Sequence, residues 1–205
     1  MQNDILHNYL IMTSIFTKDL NSNFFGYSDK IEYNLDLLHN ITPPIIGCFI
    51  ADKNGKTLFK YEIFKGALDS YLKKDIENEE RKNNFDIELI PMFISALERF
   101  SQEINIKDLR ELKLKGSNLK VQTVFTFDTY SIIFILNPIV NLRLIENRIK
   151  NYFNYLFNVY ALDFKNFKKM STINFISHLQ LLGRIWLKEM NNVYLQILKK
   201  NQNQN

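Results

Sequence analysis

The chain is poor in the residues that carry most metal, redox and phosphate-loop chemistry. Among 205 residues there is one cysteine, Cys48, and there are three histidines. A lone cysteine excludes an intrachain disulfide. His7, His39 and His178 fall in separate segments, and no HxxxH or Cys/His spacing joins them, so no metal site is expected. The six glycines never gather as GxGxxG or GxxxxGK, which excludes a P-loop nucleotide hydrolase. No apolar run reaches the length that crosses a bilayer. The first residues carry Asp4 and no basic segment, so no secretory signal is read there and a cytoplasmic protein is expected. Acidic residues such as Asp86 and Glu88 read as helix-start residues near the positive end of a dipole. No nucleophile–base pair can be named, so no catalytic residue and no cofactor is expected.

What is present is apolar and aromatic material. The apolar fraction is 46%, ample for a single core. Seventeen Phe and ten Tyr make the chain rich in rings. The net charge of +4 is modest, and basic residues are spread along the chain with small clusters at Lys165–Lys169 and Lys199-Lys200. The acidic stretch Asp75–Glu80, with Arg81–Asn84, reads as a solvated loop. Phe164-Lys165-Asn166-Phe167-Lys168-Lys169 mixes rings and lysines, a mixture that suits nucleic acid or an anionic membrane. Nucleic-acid domains carry a denser basic face. The segment therefore reads as an interhelix loop that allows peripheral membrane contact, and no nucleic-acid partner is expected.

The order of patterned segments is the main guide to the fold. Ile45–Ile50 is apolar on both faces and predicts a central strand. It is joined through Asp52-Lys53-Asn54-Gly55 to Lys56–Phe64, whose nearer alternation suits a half-exposed edge. The Asn-Gly pair predicts a type I′ hairpin turn, with positive φ at both residues. Cys48 falls inside the central strand and reads as a structural thiol. Ile90, Phe93, Ile94, Leu97, Phe100 and Ile104 then share one helical face. Asp86 is placed to cap that helix, Pro91 fits its first turn, and Ser95 and Ala96 are small enough for close approach. Leu109–Lys115, Leu119–Phe127 and Tyr130–Leu136 follow as three strands. The last of them is buried and ended by Asn137-Pro138. Leu142, Ile145, Ile149, Tyr152, Phe153, Leu156 and Tyr160 mark a second helix over Leu142–Tyr160. Ile176, Leu179, Leu182, Ile185, Trp186, Met190, Val193 and Ile197 mark a third over Thr172–Lys199.

Two buried strands from opposite ends of this unit, with edges outside them, imply an α+β fold. Its five-stranded antiparallel sheet has the order 2-1-5-4-3 and helices on both faces. The pattern resembles the profilin-like architecture shared by longin and roadblock domains. Ile46–Phe59 is similar to their opening hairpin, and Phe125–Phe134 to their fourth and fifth strands. The chain is divided accordingly into a helical extension over 1–42, with a helix read at Asp4–Leu20, a core over 43–165, and a C-terminal helix over 166–205. The second C-terminal helix favours the longin arrangement.

The resemblance implies a non-enzymatic interaction module, a scaffold or regulator of small GTPases in trafficking or motility. Its partner would be a small GTPase or a second copy of the chain. Leu112 and Leu114, on a candidate open edge, and Trp186, on the last helix, are the partner-facing candidates. A PAS-like small-ligand sensor, which also uses five antiparallel strands, is the alternative. It would need a cavity between sheet and helix, and short helices between strands two and three.

Overall fold

The computed structural model describes residues 42–127, 129–161, 164 and 173–202. The extension read over residues 1–42, apart from Thr42, and the lysines of 165–169 lie outside them.

The chain enters the sheet through strand β1, Ile45–Asp52, and returns in β2, Thr57–Glu62. The turn between them differs from the type I′ geometry predicted by the sequence. Of Asn54 and Gly55, only Gly55 has positive φ, at 76°. Gly55 N–H donates to Asp52 C=O (2.9 Å), and Asp52 N–H donates to Lys56 C=O (3.0 Å). This is a three-residue loop closed by a glycine in the left-handed region. Asp52 Oδ1 accepts from the N–H groups of Asn54 and Lys56, at 2.8 and 3.0 Å, and holds the tighter start of the loop. Gly55 is required twice over, because a Cβ there would lie 2.6 Å from the Met92 Cα.

Three helices follow: α1 over Ala67–Lys73, α2 over Glu79–Asn84 and α3 over Leu89–Glu103. The segment 75–84 is solvated as its charge implies, but only its first part is a loop: Asn78 Oδ1 accepts from Arg81 N–H (3.0 Å) and caps the short helix Glu79–Asn84. Asp86 does not cap α3. Its carboxylate accepts from Glu88 N–H (2.9 Å) in the turn before it, and Glu88 is the N-cap.

Strands β3 (Glu111–Lys115), β4 (Lys120–Phe127) and β5 (Tyr130–Leu136) complete the sheet. All pairings are antiparallel and the order is β2-β1-β5-β4-β3. This is the α+β arrangement implied by the resemblance to longin and roadblock domains. A 3₁₀ turn at Leu142–Ile145 leads into α4, Glu146–Val159, and the last helix, α5, runs from Ile173 to Gln202.

Helices cover both faces. On the first face Ile46, Phe49, Ala51, Ile133 and Ile135 pack with Ala67 and Leu68 of α1 and Ile94 of α3. Glu62, at the end of β2, points to this face and binds the start of α1: its carboxylate accepts from Gly66 N–H (3.3 Å) and Leu68 N–H (3.1 Å). The second face is aromatic. Tyr61 of β2 lies among Tyr152 and Phe153 of α4 and Trp186 of α5. Tyr152 Oη donates to Tyr61 Oη across 3.2 Å inside this cluster. The α5 helix crosses β2 at Gly183, where a Cβ would meet the Tyr61 ring at 1.9 Å.

Candidate functional site

The three partner-facing candidates part company in the structure. Trp186 is 2% exposed. Its indole stacks on Tyr152, with centroids 4.4 Å apart and planes 14° apart, and it also meets Phe153 and Phe134. Trp186 is therefore a core residue and not a partner anchor. The width of the apolar stripe on α5 comes from its need to cover β2 and α4 together.

Leu112 and Leu114 lie on β3, which pairs only with β4 and so forms an open edge of the sheet. Leu112 stands opposite Thr123, and Leu114 opposite Val121. Through β4 they share the first face with Ile133 and Ile135. Leu112 packs against the core cluster of that face, whereas Leu114 is 39% exposed.

The sequence stripe on α3 faces the sheet only in part: Ile94 and Ile90 pack on the core, whereas Phe93, Phe100 and Ile104 are exposed. The buried residues of this helix are Pro91, Ile94, Ser95 and Ser101. Leu89, Met92, Phe93, Phe100 and Ile104 are each more than half exposed, with Phe100 the most open at 59%. At 100° per residue these five fall within an arc of about 120°, and the buried side is turned by about 90° from the predicted stripe. The cause is the β1–β2 turn. Ser95 Oγ donates to Lys53 C=O (2.7 Å), and Arg99 donates to Asn54 Oδ1 (2.8 Å). Gly55 fits against the backbone of Pro91 and Met92. The side of α3 that comes that close carries Pro91, Ile94 and Ser95, so Phe93 and Phe100 are left outside. The signal present in the sequence was Pro91 and Ser95 at the hairpin.

The remaining reactive groups are shielded. Cys48 is fully buried, and burial pushes its thiol far above the ordinary 9.0. Burial likewise raises Tyr61 and Tyr152. His178 Nε2 lies 3.2 Å from Tyr160 Oη, and burial lowers its pKa. Phe164 is buried against Phe59, Tyr130 and Phe157, so this ring of the Phe164–Lys169 segment belongs to the core. Among the described residues no group of His, Cys, Asp or Glu could hold a metal ion, and no helix is long and apolar enough to cross a membrane.

No family model matches the chain, and no curated protein matches it. Among solved structures it is similar to Myxococcus xanthus MglB, at 14% identity and a TM-score of 0.40, over 62% of this chain and 83% of that one.

Proposed function

We propose that the chain is a non-enzymatic protein-interaction module of longin or roadblock type, and that it receives its partner on the outer face of α3 and along β3. The observation that carries this reading is the α3 face itself. Five large apolar side chains stand on one arc of a helix whose other side is fixed to the sheet, and grouped exposure of this kind marks an interaction surface. The open edge of β3 supplies unpaired backbone groups at the end of the same sheet. Leu112 and Leu114 point to the α3 side of the sheet, while Lys113 and Lys115 point away from it.

A second copy of the chain is the first partner this surface suits, since an edge strand pairs with its own copy about a two-fold axis. Regulation of small GTPases is the role that the sequence resemblance implies. Light scattering after size exclusion tests the surface: the full chain should run as a dimer, and Phe93→Glu with Phe100→Glu as a monomer with the circular dichroism of the folded wild type. A wild-type monomer overturns self-association. The GTPase role is then tested by titrating purified small GTPases against wild type and the same variant, where equal binding, or none, removes it.

The PAS-like alternative gains one point and loses another. Short helices α1 and α2 do lie between β2 and β3, contrary to the single long helix expected. The space between α1, α3 and the sheet is filled by Ile46, Phe49, Leu68, Ile94, Ile133 and Ile135. Native mass spectrometry that found a small molecule retained by the folded chain would favour that alternative.

A further inference from the structure

On the second face of the sheet Lys113 and Lys115 of β3 are exposed beside a buried Lys120, and the charge there is out of balance. Lys115 of β3 stands directly opposite Lys120 of β4, and Lys113 opposite Gln122. Directly opposed like charges destabilise a sheet. Lys120 is only 7% exposed, and its ammonium donates to Val140 C=O, which does not neutralise it. Burial, with Lys113 and Lys115 beside it, lowers the Lys120 pKa.

The helix side adds more positive charge. Arg110, Glu111, Arg143, Glu146 and Lys150 line a cavity of about 300 Å³ between β3, β4 and the start of α4. The two acids here are already engaged: Glu111 pairs with Lys113 at 2.8 Å, and Glu146 with Lys150 at 2.6 Å. Glu146 also feels Arg143 and Lys113, which with Lys150 hold its carboxyl below the usual range. The strand lysines and the helix cations therefore form one field. Six cations (Arg110, Lys113, Lys115, Lys120, Arg143 and Lys150) face two acids, and among the described residues Arg110, Lys115, Lys120 and Arg143 form no ion pair.

We propose that this cavity and the lysine margin beside it form a binding site for a phosphate group, carried by a soluble phosphorylated molecule or by a lipid headgroup. Arg110 and Arg143, from opposite walls, offer planar donors that match phosphate oxygens. Lys115 and Lys120 supply point charges whose mutual repulsion a bound dianion would relieve. Val124, Leu142 and Ile149 provide an apolar wall for the remainder of a soluble ligand, and the open margin at Lys115 allows approach to a membrane surface. The site lies on the sheet face opposite α3 and shares only strand β3 with the partner surface above.

Two probes separate the sources. Inorganic pyrophosphate is titrated by calorimetry at constant ionic strength. Flotation is run with phosphatidylcholine vesicles with and without phosphatidic acid. Binding of pyrophosphate assigns a soluble phosphate, and binding only to phosphatidic acid vesicles assigns a headgroup. In either case Lys115→Gln with Arg143→Gln should weaken binding by about tenfold or more, the loss of one charge-assisted hydrogen bond or more. Lys199→Gln with Lys200→Gln, which removes the same charge elsewhere, should leave binding unchanged. Lys115→Gln alone should raise the unfolding temperature of the ligand-free chain, a gain that no merely structural role of Lys115 would give. The proposal is overturned if neither probe binds, if the two double variants lose binding equally, or if Lys115→Gln lowers the unfolding temperature.

Discussion

Asn191 of the last helix pairs with the backbone of Ile45 as a strand would. Its Oδ1 accepts from Ile45 N–H at 2.7 Å, and its Nδ2 donates to Ile45 C=O at 2.9 Å. The β1–β2 pairing begins only at Gly47, so Ile45 lies past the end of its neighbour, and the amide of α5 takes the missing place. Both groups are buried, so Asn191→Ala should cost roughly 2–4 kcal/mol in chemical unfolding, from two backbone groups left without partners. Asn191→Asp keeps the acceptor but sets an oxygen against the Ile45 carbonyl. Burial should raise the new carboxyl, so this variant should be most stable in acid and weaken as pH rises.

Gly183→Ala tests the crossing of α5 over β2. In an exposed helix the change would stabilise by about 1 kcal/mol. Here the added methyl would lie 1.9 Å from the Tyr61 ring, and that ring is packed on every side. Net destabilisation of about 1–3 kcal/mol is expected from thermal unfolding. A stabilised variant would show that α5 can slide without loss.

Trp186 and Phe100 should separate stability from association. Trp186→Ala removes a buried ring stacked on Tyr152 and should cost about 3–5 kcal/mol. Phe100→Glu alters an exposed side chain and should change stability by less than about 0.5 kcal/mol while weakening self-association in light scattering. The reverse pattern would return Trp186 to the surface and remove the α3 reading.

Alkaline pH should unfold the chain through its buried weak acids. Cys48, Tyr61 and Tyr152 all have folded pKa values raised by burial above their ordinary 9.0 and 10.0. Their neutral forms contribute fully below those ordinary values. Above them the unfolded chain releases protons that the folded chain keeps, so stability falls by up to about 1.4 kcal/mol per pH unit for each such group. Circular dichroism across this range should show a loss that begins near pH 9.0, and Cys48→Ala should move its onset upward. For the same reason Cys48 should react with a thiol reagent only as fast as the chain opens.

Much of this architecture was legible in the sequence, for reasons particular elements make plain. Ile45–Ile50 and Tyr130–Leu136 are apolar on both faces because helices cover both, and that doubly apolar character placed them at the sheet centre. The stripe over Leu142–Tyr160 is legible because one face of α4 meets one surface: Ile149, Tyr152, Phe153 and Leu156 are buried on it, Leu142 and Ile145 are buried in the 3₁₀ turn before it, and Tyr160 is half-buried at its C-cap. The candidate site was less legible. Periodicity reports where apolar residues gather but not which side of a helix a distant turn will claim. The contacts of Ser95 with Lys53, and of Pro91 and Met92 with Gly55, turn α3 away from its apparent orientation. The burial of Trp186 is not legible in the sequence, because a broad stripe on a last helix looks the same whether it covers two elements or reaches a partner. Lys115 and Lys120 became neighbours only through strand register, which single-segment patterns do not give.

The stack of Trp186 on Tyr152 has an optical consequence. Trp186 is the only tryptophan in the chain, and it sits where α4, α5 and the second face of the sheet meet. Its emission is therefore a local gauge of whether the last helix is seated. It should shift to the red when that helix lifts from β2, ahead of any loss of the sheet. Neither the α3 face nor the lysine margin touches the indole, so binding at either surface should leave the spectrum still. A ligand-induced change in emission would report motion transmitted through the core.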